Sequence, residues 1–193
     1  MIASVRGRRD SEGWARKLFE RRVEEEEEGY TDLSYPRIRY VNLPMILDDG
    51  RQRMEIRHYG HGHTTGDLVA WLPKGRILLT ADLSNNGPLN LANANIASWI
   101  EVLNQLAALP VQTLVPGHGA RGGPELLEMN RRFLSELRSR VGDMVERGMS
   151  YEEVLAAIEI PFHEQWSRVA VRDKPGNVKR AFLEMGGSVE ASD

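Results

Sequence analysis

The sequence predicts a mixed α/β fold with helices covering a sheet, and three observations carry that reading. Three runs of strand character, 53–59, 67–72 and 76–80, follow one another with only short turns between them. A fourth short apolar run, Gln112–Val115, is preceded and followed by helical spacing. Early strands that give way to strand–helix alternation argue for one sheet with helices packed on it.

The elements are taken in chain order. Asp10 or Ser11 is placed to cap a first helix through about Glu28, with Trp14, Leu18 and Phe19 as a narrow apolar stripe. The five glutamates Glu24–Glu28 read as a solvated helix end that frays before Gly29, because acidic side chains at a helix C-terminus oppose its dipole. Residues 37–47 alternate loosely and read as extended, interrupted at Pro44, and Asp48-Asp49-Gly50 signals a turn. Arg53–Tyr59 alternates cleanly, with Met54, Ile56 and His58 on one face and Glu55 and Arg57 on the other, as a half-buried strand does. The runs 67–72 and 76–80 form a hairpin across Pro73-Lys74-Gly75, so the three runs make an antiparallel meander.

Beyond a Ser/Asn-rich loop at 84–95, Asn93 or Asn95 is expected to cap a helix with Ile96, Ile100, Leu103 and Leu106 on one stripe, ended by Pro110. Gln112–Val115 is expected as a short buried strand. Pro124 suits the first turn of a long helix through about Glu146, with Leu127, Leu134, Leu137 and Val141 at helical spacing. Ser150 and Glu153 form a capping box for a helix over 151–158, which Pro161 stops. A last helix over about 177–185 ends at Gly186-Gly187.

Composition sets the bounds. A chain of 193 residues with 41% apolar and 27% charged side chains has the makeup of a globular protein with a real core. The net charge of -3 and the absence of a basic stripe argue against a nucleic-acid partner. No apolar run approaches the roughly 20 residues of a membrane span, and Met1-Ile2-Ala3-Ser4 is too short for a signal-peptide core, so the expected location is cytoplasmic. There is no cysteine, which excludes disulfides and thiolate ligation; any metal would be held by His, Asp or Glu.

Three such side chains stand where strands run into loops: His63, Asp82 and His118. His63 and His118 are each flanked by glycines, which let the backbone turn tightly and leave the imidazole approachable. A set of two histidines and one aspartate suits Zn²⁺ or a similar borderline ion. A pair of hydrogen-bonded turn histidines explains the same residues without a metal.

The segments GHGHTTGDLVAWLP, ILLTADL and LVPGHG, in this order, resemble the metallo-β-lactamase superfamily over about residues 37–135. The resemblance implies the family's αββα sandwich, of which this chain supplies mainly the second half. It implies a partial metallo-β-lactamase-like domain over 1–135 and a helical C-terminal extension over 136–193. His63 then matches the histidine that completes the first metal site, Asp82 the carboxylate that bridges or neighbours both metals, and His118 the histidine of the second. Ala81 stands where the family usually has glycine. Thr64 and Asp67 match positions that shape the turn behind the ligand. His61 is expected as a rim residue, His58 on the sheet face, and His163 on the surface or in the tail.

The family's His-x-His-x-Asp-His signature is absent. The resemblance therefore implies the C-terminal part of a longer zinc hydrolase acting on an ester, thioester or amide. Its metal centre would be incomplete: one weak zinc site or none here, against up to two in the complete family. The missing part would leave an apolar sheet face open, so the chain is expected to form a homo-oligomer or to need its missing N-terminal half. A non-catalytic remnant or interaction module retaining the second half of the fold is the alternative.

Overall fold

The computed structural model describes residues 44–159 and 167–189. Among the described residues, five strands form one sheet in sequential order. Strand β1 (Met45–Asp48), β2 (Arg53–Arg57), β3 (Val69–Leu72) and β4 (Ile77–Ala81) are an antiparallel meander, and β5 (Thr113–Pro116) joins β4 in parallel. The connection from β4 to β5 passes through helix α1 (Ile96–Ala107), which is the length that a parallel neighbour requires. Helices α2 (Glu125–Glu146), α3 (Tyr151–Ala157) and α4 (Ser167–Glu184) follow.

The period-2 pattern sorts the sheet into two unlike faces. Val69, Trp71, Leu78 and Leu114 share one face and are buried in the main core with the helices. The other face carries Met45, Leu47, Met54, Ile56, Ala70, Leu72, Ile77, Leu79, Thr113 and Val115, with no charged side chain among them. Leu47 is 50% exposed and Val115 37% exposed, so this face is apolar yet partly open.

The helical face is built around Trp99 and Phe133, both sealed from solvent, with Leu103, Leu106, Leu134 and Leu137 from the stripes read in the sequence. Asn95 caps α1, its side chain accepting the Ser98 N–H at 2.9 Å. Ser150 and Glu153 close the expected capping box.

Several boundaries differ from the sequence reading, each for a local reason. Strand β3 begins at Val69 rather than Asp67, because the Asp67 side chain is spent on the preceding turn. The run after Gln112 is buried on one side only: Leu114 faces the helical core, while Val115 lies on the open face of the sheet. Helix α1 stops at Ala107, three residues short of Pro110. The last helix starts at Ser167 rather than 177 and runs through Pro175 and Gly176. Packing of Val178, Ala181 and Phe182 in the core supports a helix that propensity alone would have cut. Its end is as read: Gly186 takes a φ of 90°, and Gly187 N–H returns to the Phe182 carbonyl at 2.9 Å. Helix α2 runs unbroken through 135–136. The helix expected over 10–28, the extended stretch before Pro44, the stop at Pro161 and His163 lie outside the described residues.

Candidate metal centre

The turn that carries His63 is assembled by Asp67. Its carboxylate accepts the backbone N–H of Gly62 at 3.1 Å, that of Thr64 at 3.0 Å and the Thr64 hydroxyl at 2.7 Å. Gly62 is required by space: a Cβ there would stand 2.3 Å from Leu83 Cδ2 and 3.1 Å from the Trp99 ring. The His63 ring meets Trp99 edge-on at 5.8 Å between centroids. His63 Nδ1 lies 2.8 Å from the Asn90 carbonyl oxygen. A carbonyl can only accept, so Nδ1 carries a proton, and in the neutral ring the lone pair is then on Nε2. This is how metal-binding imidazoles are commonly oriented.

Asp82 stands on the turn that ends β4. Leu83 N–H and Ser84 N–H close that turn onto the carbonyls of Thr80 and Ala81, at 3.2 and 3.3 Å. Ala81 adopts a φ of 46°, in the left-handed region, beside an irregularity in the β4–β5 ladder. The alanine that stands where the resemblance has glycine is thus a strained position.

His118 follows the Pro116-Gly117 turn at the end of β5. Its backbone N–H donates to Asn85 Oδ1 at 3.1 Å, and its carbonyl accepts from Asn86 N–H at 2.9 Å. Its side chain is 76% exposed.

His63 and His118, 55 positions apart in the chain, each face Asp82. Asp82 Oδ1 lies 3.1 Å from His118 Nε2, and Oδ2 lies 3.9 Å from His63 Nε2. One carboxylate therefore presents one oxygen to each histidine. The other two described histidines point elsewhere. His61 Nε2 is engaged with the Asn93 carbonyl at 2.9 Å. His58 lies just beyond β2 rather than within the sheet, with Nδ1 2.7 Å from the Asp67 carbonyl.

In donor chemistry, two imidazoles and a carboxylate fit zinc. Among the described residues, however, no group of three or more His, Asp or Glu side chains is gathered closely enough to hold an ion. Each histidine forms a pair with Asp82, and the pairs do not close into a three-donor site. The donor types fit; a complete catalytic site is not formed by the described residues.

The residues that hold this centre in place include several that the sequence reading passed over. Asn130 from α2 and Asn177 from α4 bind the loop between Asp82 and α1, and Glu184 from α4 binds the first two amides of α1. Asn130 carried a signal: it falls on the Leu127–Leu134 apolar stripe, where a polar side chain is out of pattern.

A family model described as the metallo-beta-lactamase superfamily matches residues 13–118. A metallo-beta-lactamase type 2 of Bacteroides fragilis is 28% identical over 116 residues, covering 57% of this chain and 42% of its own. One of Bacillus cereus is 31% identical over 87 residues, covering 42% of this chain and 34% of its own. The chain thus spans between about a third and two fifths of the length of these relatives. A solved metallo-beta-lactamase from Pontibacter korlensis superposes with a TM-score of 0.49 at 23% identity, over 63% of this chain and 62% of that one.

Proposed function

This chain belongs to the metallo-β-lactamase superfamily, and from that premise we propose that it supplies His63, Asp82 and His118 to the metal centre of a zinc-dependent hydrolase. The observation that carries the proposal is the division of the Asp82 carboxylate between two histidine Nε2 atoms, with His63 already held in the tautomer that leaves Nε2 free. Zinc bound there would supply a water of lowered pKa and a Lewis acid for the carbonyl of an ester, thioester or amide.

The residues of this chain perform the positioning. Asn90 fixes the His63 ring, Asp67 fixes its turn, and the Pro116-Gly117 turn delivers His118 to Asp82. The sequence has five histidines and no His-x-His-x-Asp-His run, and in this reading the site that the described residues supply by themselves is incomplete.

Zinc per chain, measured on purified protein alongside His63→Ala and His118→Ala, tests this. Near-stoichiometric zinc that drops in both variants supports the centre and justifies a hydrolase screen. Zinc at background in the parent chain removes the metal reading.

A second reading, a non-catalytic interaction module, is favoured by the open sheet face. Its ten residues are uncharged, so two copies can pack this face against itself without burying a charge. Sedimentation at micromolar concentration distinguishes the outcomes. A dimer that Leu47→Lys dissociates supports this use of the face, and a monomer at all concentrations rejects it.

A further inference from the structure

We propose that two buried asparagines, Asn130 and Asn177, are positioning residues that each set one of the two histidines at the metal centre. The inference rests on the reading of His63 and His118 as metal ligands and adds the residues through which the C-terminal helices control them.

Asn130 lies on α2 and is completely buried. Its Oδ1 accepts the Asn85 N–H at 2.7 Å, and its Nδ2 donates to the Asn85 carbonyl at 2.9 Å. One side-chain amide thus occupies both backbone groups of one residue, as a neighbouring strand would. Asn85 in turn accepts the backbone N–H of His118 through Oδ1 at 3.1 Å. The path from helix to ligand is one residue long.

Asn177, on α4 and 5% exposed, repeats the device. Its Nδ2 donates to the Leu89 carbonyl at 2.8 Å, and its Oδ1 accepts the Leu91 N–H at 2.9 Å. The residue between them is Asn90, whose carbonyl receives the His63 Nδ1 proton at 2.8 Å. Gripping both neighbours of Asn90 aims that carbonyl and thereby the His63 ring. The two clamps are separate: each asparagine serves a different loop residue and a different histidine.

Physical chemistry says why such clamps would be retained. A buried amide is costly unless all its hydrogen bonds are made, and an apolar residue at either position would be easier to bury. Here each amide makes two bonds, and all four end on the segment 85–91, which hydrogen-bonds to both histidines. Removing a partner that orients a metal ligand typically weakens metal binding by about ten- to a hundred-fold.

The test uses the full chain labelled with ¹⁵N in histidine and in the backbone, with Asn130→Ala, Asn177→Ala and Val154→Ala. Val154 is buried on α3 and belongs to neither clamp, so it reports plain loss of stability. Two exchange rates are read: that of the His63 Nδ1 proton and that of the His118 amide proton. The clamps predict that Asn177→Ala accelerates the first at least ten-fold and spares the second, while Asn130→Ala does the reverse. Val154→Ala should change neither selectively.

Asn130→Ser and Asn177→Ser remove the amide while leaving a hydroxyl and no buried charge, and give the same pattern should the alanine variants not fold. Acceleration of both protons together, in proportion to lost stability, or of neither, overturns the proposal. Zinc affinity by chelator competition is the second readout, with each clamp variant at least ten-fold weaker than Val154→Ala. A parent chain that holds no zinc sinks the metal reading alone, because the exchange pattern still decides whether the clamps act.

Discussion

Gly117 donates its N–H to the Ala81 carbonyl at 2.8 Å, and this contact joins the two strand ends that bring Asp82 and His118 together. The approach leaves no room for a side chain: a Cβ on Gly117 would stand 2.4 Å from Asp82 Oδ1 and 2.6 Å from the Ala81 carbonyl carbon. Gly117→Ala must therefore push the two turns apart, at a cost of about 1–3 kcal/mol for overpacking against backbone. Ala81, at a φ of 46°, works in the opposite sense. Glycine there removes a left-handed strain of about 1–2 kcal/mol and adds part of that back as unfolded-state entropy. Ala81→Gly is expected to stabilise by about 0.5–1 kcal/mol. Urea midpoints for both variants check the pair, and a fall in stability for Ala81→Gly would contradict the strain assigned to this turn.

Trp99 links the core to the centre. It is sealed from solvent, its Nε1 donates to the Leu83 carbonyl at 2.9 Å, and its ring faces the edge of His63. Trp99→Ala is expected to cost about 3–5 kcal/mol. Trp99→Phe keeps most of the packing but leaves the Leu83 carbonyl without its partner, for about 1–3 kcal/mol. Thermal and urea unfolding of the two variants give both numbers. Equal stability of Trp99→Phe and the parent would show that the indole hydrogen bond contributes nothing.

The meander, the Asn95 cap and the capping box at Ser150 were legible because each is a local pattern: alternation, a capping residue at the start of a periodic run, a serine three residues before a glutamate. His63, Asp82 and His118 were legible as types of donor at strand ends. Their separation was not, since the 3.1 and 3.9 Å distances depend on the parallel pairing of β4 with β5 and on the Gly117–Ala81 contact. The Asn177 clamp joins residues 86 and 88 positions apart, and no local pattern can announce it. The early start of the last helix was hidden for the same reason, because Pro175-Gly176 reads locally as a break.

Glu55 gives a pH dependence with a definite sign. Hydrogen bonds from Arg57 and then Arg53 hold its carboxyl below the usual glutamate value of 4.5, against a smaller opposing effect of burial. The ion-pair distances are 2.7 and 3.0 Å. A lowered folded-state pKa means that the stabilisation is fully present above the unfolded value and is lost as the pH falls through the folded one. Both arginines are nearly half exposed, so the contribution is held to about 0.5–1 kcal/mol. Unfolding free energies from pH 7 down to pH 3 should fall, and the fall should be shallower in Glu55→Gln. Parallel curves for the two proteins would show that the pairs contribute nothing.

The N-terminus of α1 is capped from two directions, and that division makes a final prediction. Asn95 takes the Ser98 N–H at 2.9 Å, while the Glu184 carboxylate from α4 takes the Ile96 and Ala97 N–H groups at 2.8 Å each. A carboxylate at this end also meets the positive pole of the helix dipole. Asn95→Ala should cost about 1 kcal/mol, as cap removal usually does. Glu184→Ala should cost more, about 2–3 kcal/mol, because two backbone donors lose a charged acceptor and Arg138 and Arg180, at 3.8 and 3.9 Å, lose a carboxylate partner. Because the two caps serve different amides, the double variant should lose close to the sum. Urea unfolding of the single and double variants measures it, and a double variant no less stable than Glu184→Ala would mean that Asn95 caps only when α4 is docked.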